Sequence, residues 1–183
     1  MPTYSNKDNL GSAIINFSLK GTDEKFYSPE NFDEKDILVI IFMCNHCPYV
    51  KAIAERLALL QDKFRSSRVQ LIGINSNDPV SHTEDSFENM KLFSEKYGLN
   101  FPYLIDESQD VAKLYEAVCT PDIYVYDRQR KLRYRGRLDD NWKDESKVTQ
   151  KELENAIQLL IDGKEIDFEQ IPSMGCSIKW KNE

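Results

Sequence analysis

A chain of 183 residues, 30% charged and 40% apolar, has room for one domain with a substantial core and needs no disulfide staples. Its formal net charge of −7 argues against a general nucleic-acid binder. Four cysteines in a chain whose first ten residues lack an apolar leader fit reactive or buried thiols better than an extracellular disulfide framework. No later run is long enough to span a bilayer, so the expected location is cytoplasmic, with neither membrane nor nucleic acid as a partner.

Residues 14–19 read as a strand, and the turn at 21–25 leads into a second one around Phe26 and Tyr27. These make an N-terminal hairpin over about 11–30, closed by Ser28 and Pro29, a cap and a first helical position. Residues 37–43 are uninterrupted apolar, mostly β-branched positions, the pattern of a strand buried on both faces. A helix follows at once: Val50, Ile53, Leu57, Leu60 and Phe64 recur on one face, with an end near Arg65. Residues 69–74 repeat the buried-strand pattern, so the two strands lie parallel through a right-handed crossover. Beyond a polar stretch at 75–85, Phe87, Met90, Phe93 and Tyr97 trace a second helix that Gly98 can stop.

Residues 103–105 read as a short strand, 109–117 as a helix, and 122–126 and 131–134 as two strands joined by a turn. Arg128, Arg130, Lys131, Arg133, Arg135 and Arg137 crowd that segment; they read as a solvated hairpin, or as a surface steering an acidic partner. Thr149 and Glu152 match a capping box for a last helix with Leu153, Ile157 and Leu160 on its apolar face and Gly163 at its end. The tail, about 164–183, shows no period. Without repeats or linkers, 1–183 is expected to be a single domain.

Cys44 and Cys47 stand where the first buried strand gives way to its helix. Unpaired N–H groups in a first helical turn and the positive end of the macrodipole favour a thiolate. In Cys-x-x-Cys sites the thiol pKa drops from ~8.5 to ~3.5–7.5. Cys44 is expected to be the acidic sulfur, and His46, if protonated, adds a positive charge beside it.

The two β-α-β-like halves with a Cys-x-x-Cys at the first strand-to-helix junction resemble the thioredoxin fold. Residues 11–181 resemble its redoxin branch, the alkyl hydroperoxide reductase/thiol-specific antioxidant (AhpC/TSA) family. The segments 44–50 (Cys-Asn-His-Cys-Pro-Tyr-Val), 101–104, 119–122, 134–140 and 175–181 carry the likeness, which is greatest to a thioredoxin-like group with a Cys-x-x-Cys. The resemblance implies an α/β three-layer sandwich with a mixed central sheet and the N-terminal hairpin as an extension. It also implies a cis Thr120–Pro121 bond opposite the cysteines, with the Thr120 backbone free to bond an extended substrate.

The departures are specific. Peroxiredoxins carry Pro-x-x-x-Thr/Ser-x-x-Cys, whereas Ile37 and Ile41 precede Cys44 at those spacings, and Ile40 and Cys44 precede Cys47. Thioredoxins have Trp before the first cysteine, Gly-Pro inside the pair and an upstream Asp; here Met43, Asn45, His46 and Leu38 take those places. A histidine before the second cysteine is similar to the oxidising DsbA-type site, which implies a disulfide easier to reduce than that of thioredoxin.

The leading expectation is a thiol-disulfide oxidoreductase in which Cys44 attacks and Cys47 resolves, with His46, Thr120 and Pro121 in support and no cofactor. Its partners would be a disulfide-containing protein or low-molecular-weight thiol substrate and an upstream reductant. The alternatives are a peroxiredoxin-like peroxidase, with a Cys44 sulfenic acid resolved by Cys47, and a non-enzymatic metal-binding or interaction module. Zinc normally takes four ligands, and Cys119, Cys176, His46 and His82 form no second chelating pair, so no metal is expected. Cys119 and Cys176 are either bystanders or extra redox thiols. His82 reads as a surface residue, and Asp139, Asp140 and Asp144 as a polar turn.

Overall fold

A computed structural model describes residues 2–5 and 9–181; the extreme ends of the expected single domain fall outside them. The strands are β1 (Thr3–Tyr4), β2 (Leu19–Gly21), β3 (Phe26–Tyr27), β4 (Ile37–Phe42), β5 (Val69–Asn75), β6 (Tyr103–Ile105), β7 (Cys119–Thr120), β8 (Asp122–Tyr126), β9 (Leu132–Gly136) and β10 (Met174–Ser177). The helices are α1 (Pro48–Lys63), α2 (Phe87–Lys96), α3 (Asp110–Leu114) and α4 (Glu152–Ile161).

Seven strands form one mixed sheet in the order β3-β2-β6-β5-β4-β8-β9. β4 and β5 run parallel, joined through α1 as the crossover pattern requires, and β8 and β9 add an antiparallel hairpin. Side chains alternate along β4. Val39, Ile41 and Met43 enter one core with Ile53 and Leu57 of α1, Phe93 of α2 and Ile157 of α4. Leu38, Ile40 and Phe42 enter the other with Val111 and Ala112 of α3, Phe17 and Phe32. The result is a sheet covered on both faces, the three-layer α/β sandwich expected.

Several boundaries moved. The first strand of the N-terminal hairpin shrinks to Leu19–Gly21, with Ala13 held by an isolated bridge to Lys131. The predicted capping box of α4 does not form, because both members find partners elsewhere: Thr149 bonds Asp140, and Glu152 pairs with Arg137. The tail is not irregular throughout. β10 lies antiparallel between β1 and β7, pairing Cys176 with Thr120 and Gly175 with Thr3. Gly175 is required there, since a Cβ would fall 2.0 Å from the Thr120 carbonyl oxygen.

Four arginines of the basic segment are held by partners. Arg130 donates to the Phe32 and Lys35 carbonyls, Arg133 pairs with Asp127, and Arg137 with Glu152. Arg135 is 1% exposed and grips the fully buried Asp122 through Nη2–Oδ2 at 2.8 Å and Nε–Oδ1 at 3.3 Å. Arg135→Met keeps most of the volume but strands Asp122 without its cation. It is expected to cost about 3–5 kcal/mol in unfolding free energy, read from the denaturant midpoint. A loss under about 1 kcal/mol, the range of exposed pairs, would contradict this role.

Candidate functional site

The corner between β4 and α1 carries both cysteines. Proline is pre-shaped for the first helical position and drives the residue before it out of the helical region. Pro48 therefore starts α1, and Cys47 becomes its N-cap in an extended conformation, φ −65°, ψ 122°. Cys44 lies upstream of the helix altogether. Both residues are fully buried. Across from them the Thr120–Pro121 bond is cis. Thr120 reaches both sulfurs: its Oγ1 is 3.2 Å from Cys44 Sγ, and its carbonyl oxygen lies 3.1 Å from Cys47 Sγ, which donates to it when protonated.

This geometry reverses the expected order of acidity. The Cys47 thiol is pulled down to about 5, first by the Cys44 thiol acting as donor, then, against the cost of burial, by the Val50 N–H of the first helical turn and by Cys176. The Cys44 thiol is pushed well up, because it supplies that hydrogen bond, because it is buried, and because the Asp85 carboxylate stands near it. Helix-start donors act within the first turn, and Cys47, not Cys44, occupies it.

His46 does not serve Cys44 either. Its Nδ1 lies 2.5 Å from Asp85 Oδ2, and that hydrogen bond raises its pKa, against the effect of partial burial; the charge of Cys47 adds to the rise. His82, expected at the surface, stacks on the His46 ring at 5.2 Å between centroids. Asp85 also accepts from the Asn45 N–H at 2.6 Å, the His46 N–H at 3.3 Å and Asn77 Nδ2 at 2.7 Å. It is the organiser of the corner that sequence reading passed over as part of a polar stretch. Asn45 is fixed in turn by Tyr103 Oη at 2.9 Å and by the Glu84 carbonyl. A signal did exist: residues 75–85 leave the carboxyl end of a parallel strand, where open α/β sheets build their sites.

Cys44, His46 and Asp85 each bring one ligand-type atom within 4.8 Å of the others. The Asp85 oxygens, however, already accept four hydrogen bonds, so a cation would have to displace them. Cys119 is buried, and burial drives its thiol pKa up. Strand alternation turns it away from the face that Thr120 shares with Cys176. Cys176 is half-buried, packs against the core that holds Cys44 and Cys47, and has its thiol pushed up to about 11 by burial and by Cys47.

The fold is that of the thioredoxin class. The chain belongs to the AhpC/TSA family, whose model matches residues 10–135. It is 31% identical over 107 residues to a chloroplastic peroxiredoxin Q of Populus jackii, covering 58% of this chain and 46% of that one. It is 23% identical over 105 residues to the thiol-disulfide oxidoreductase ResA of Halalkalibacterium halodurans, 57% of this chain and 55% of that one. This chain thus spans about half the length of these curated relatives. A crystal structure of an uncharacterized conserved protein from Geobacillus kaustophilus superposes with TM-score 0.95 at 41% identity, over 100% of this chain and 98% of that one.

Asp85 holds His46 protonated to higher pH than an ordinary imidazole. Asp85→Asn is expected to shift the His46 titration downward, followed through its ring resonances, and to loosen the 44–47 corner. An unchanged midpoint would contradict the role given to the carboxylate.

Proposed function

We propose that the protein is a thiol-disulfide oxidoreductase working through the Cys44–Cys47 pair on a disulfide-containing protein or a low-molecular-weight disulfide in the cytoplasm. The observation that carries this reading is the pair itself: two buried sulfurs, both in contact with Thr120 beside a cis proline. The Cys47 thiolate attacks one substrate sulfur, forming a mixed disulfide, while the other substrate sulfur leaves as a thiolate and is protonated. Cys44 then gives up its proton and attacks the Cys47 sulfur. The S44–S47 bond forms, the second substrate thiolate leaves, and the substrate has gained the two electrons that the pair has lost. An upstream thiol reductant restores the dithiol.

The order of attack differs from the sequence-based expectation because the stabilised anion sits on Cys47. Its low pKa does not mainly buy speed. Near pH 7 an ordinary thiol is only a few per cent ionised, so a pKa of about 5 gains roughly thirtyfold in thiolate. Nucleophilicity falls by ~0.4–0.5 log unit per pKa unit, which removes most of that gain. What remains is an excellent leaving group and a stabilised dithiol, hence a disulfide easier to reduce than thioredoxin's.

A peroxidase is the second reading, favoured by the anionic Cys47 and by the peroxiredoxin Q relatives. There Cys47 would take an oxygen from a peroxide to become a sulfenic acid, and Cys44 would condense with it, releasing water. Single-turnover mixing separates the two. With oxidised glutathione, Cys44→Ser is expected to stop after one exchange with Cys47 held in a disulfide, and Cys47→Ser to slow exchange by about tenfold or more. Rapid second-order oxidation by hydrogen peroxide with sluggish disulfide exchange would overturn the leading reading in favour of the second.

A further inference from the structure

The backbone groove beside the cis proline, expected to be open for an extended substrate, is already filled by this chain. β10 lies along β7 with Cys176 directly opposite Thr120, and no Cβ on Gly175 obstructs the approach. Directly opposed residues of an antiparallel pair project to the same face, with Cβ atoms ~4.5–5.5 Å apart. Cys176 therefore stands on the face where Thr120 Oγ1 meets Cys44 Sγ at 3.2 Å, packed against the cluster that contains both cysteines. Cys44 and Cys47 have no exposed surface, whereas Cys176 does.

We propose that β10 is a built-in substrate segment and that Cys176 is the exit thiol of the buried pair, passing its disulfide to thiols in solution. The inference rests on the exchange function above and adds the route by which the pair is reduced. The Cys176 thiolate attacks the Cys47 sulfur of the Cys44–Cys47 disulfide. The S47–S176 bond forms, the S44–S47 bond breaks, and Cys44 leaves as a thiolate that takes up the proton Cys176 released; no electrons are gained or lost. A dithiol from solution then attacks Cys176, the accessible sulfur. Cys47 departs as a thiolate, and the second thiol of the reductant closes its own disulfide, freeing Cys176.

Leaving-group chemistry favours the second of these steps. Of the two sulfurs in a Cys47–Cys176 disulfide, Cys47 is far the more acidic and leaves faster, so attack falls on the sulfur that solvent reaches. In the oxidised pair Cys47 carries no anion, which removes one of the causes that hold the Cys176 proton in place. Cys119, on the opposite face, has no such path.

Two measurements test the assignment. In Cys44→Ser treated with one equivalent of oxidised glutathione, non-reducing peptide mapping should find Cys47 joined to Cys176. In Cys176→Ala, the pre-formed Cys44–Cys47 disulfide should be reduced by dithiothreitol about tenfold or more slowly than in the wild type. Either a glutathionylated Cys47 with a free Cys176 thiol, or wild-type reduction of Cys176→Ala, would overturn it. The first readout keeps Cys176 in its strand, so it does not depend on how well the alanine variant folds. Absence of any Cys44–Cys47 disulfide in the oxidised wild type would instead count against the exchange function itself.

Discussion

The juxtaposition of two buried sulfurs against Thr120 decides where the charge of the pair resides, and the rest of the site is arranged around that decision. Cys44 is enclosed and lies near the Asp85 carboxylate, so ionising it would set two negative charges close together in a buried corner, a cost that the Thr120 hydroxyl offsets only in part. Cys47 caps a helix whose first-turn N–H groups have no intrahelical partner. One proton between two sulfurs thus settles on the upstream one.

Asp85 has a double effect on that balance. It gathers the backbone N–H groups of Asn45 and His46, which fixes the turn between the cysteines. It also pairs with the His46 charge, so the imidazolium does not acidify Cys44 as its place between the cysteines suggested. The His46 charge couples instead to Cys47, whose anion contributes to keeping His46 protonated. The cysteine pair stands here without the hydroxyl-bearing motif of peroxiredoxins or the Gly-Pro of thioredoxin.

Much of the fold was legible because buried strands and amphipathic helices write long periodic signals. The runs leading into Cys44 and through residues 69–74 were enough to place a parallel pair and its crossover helix, and Gly98 stops α2 with φ +59°, as its position suggested. Tertiary partners erased weaker local signals: Thr149 and Glu152 form a respectable capping pattern that Asp140 and Arg137 dismantle. The short strand Met174–Ser177 could not be read, since its conformation depends on Thr120, far away in sequence. The cysteine pair was evident, but its polarity was not. Pro48 held that information, because a proline there sets the helix start and makes Cys47 the cap.

The most direct test is to follow the Cβ resonances of isotope-labelled cysteine across pH, assigned through single Cys→Ser variants. The account predicts that Cys47 titrates near about 5 while Cys44 stays protonated well beyond the ordinary thiol range. Ionisation of Cys44 first, with Cys47 still a thiol at neutral pH, would contradict it.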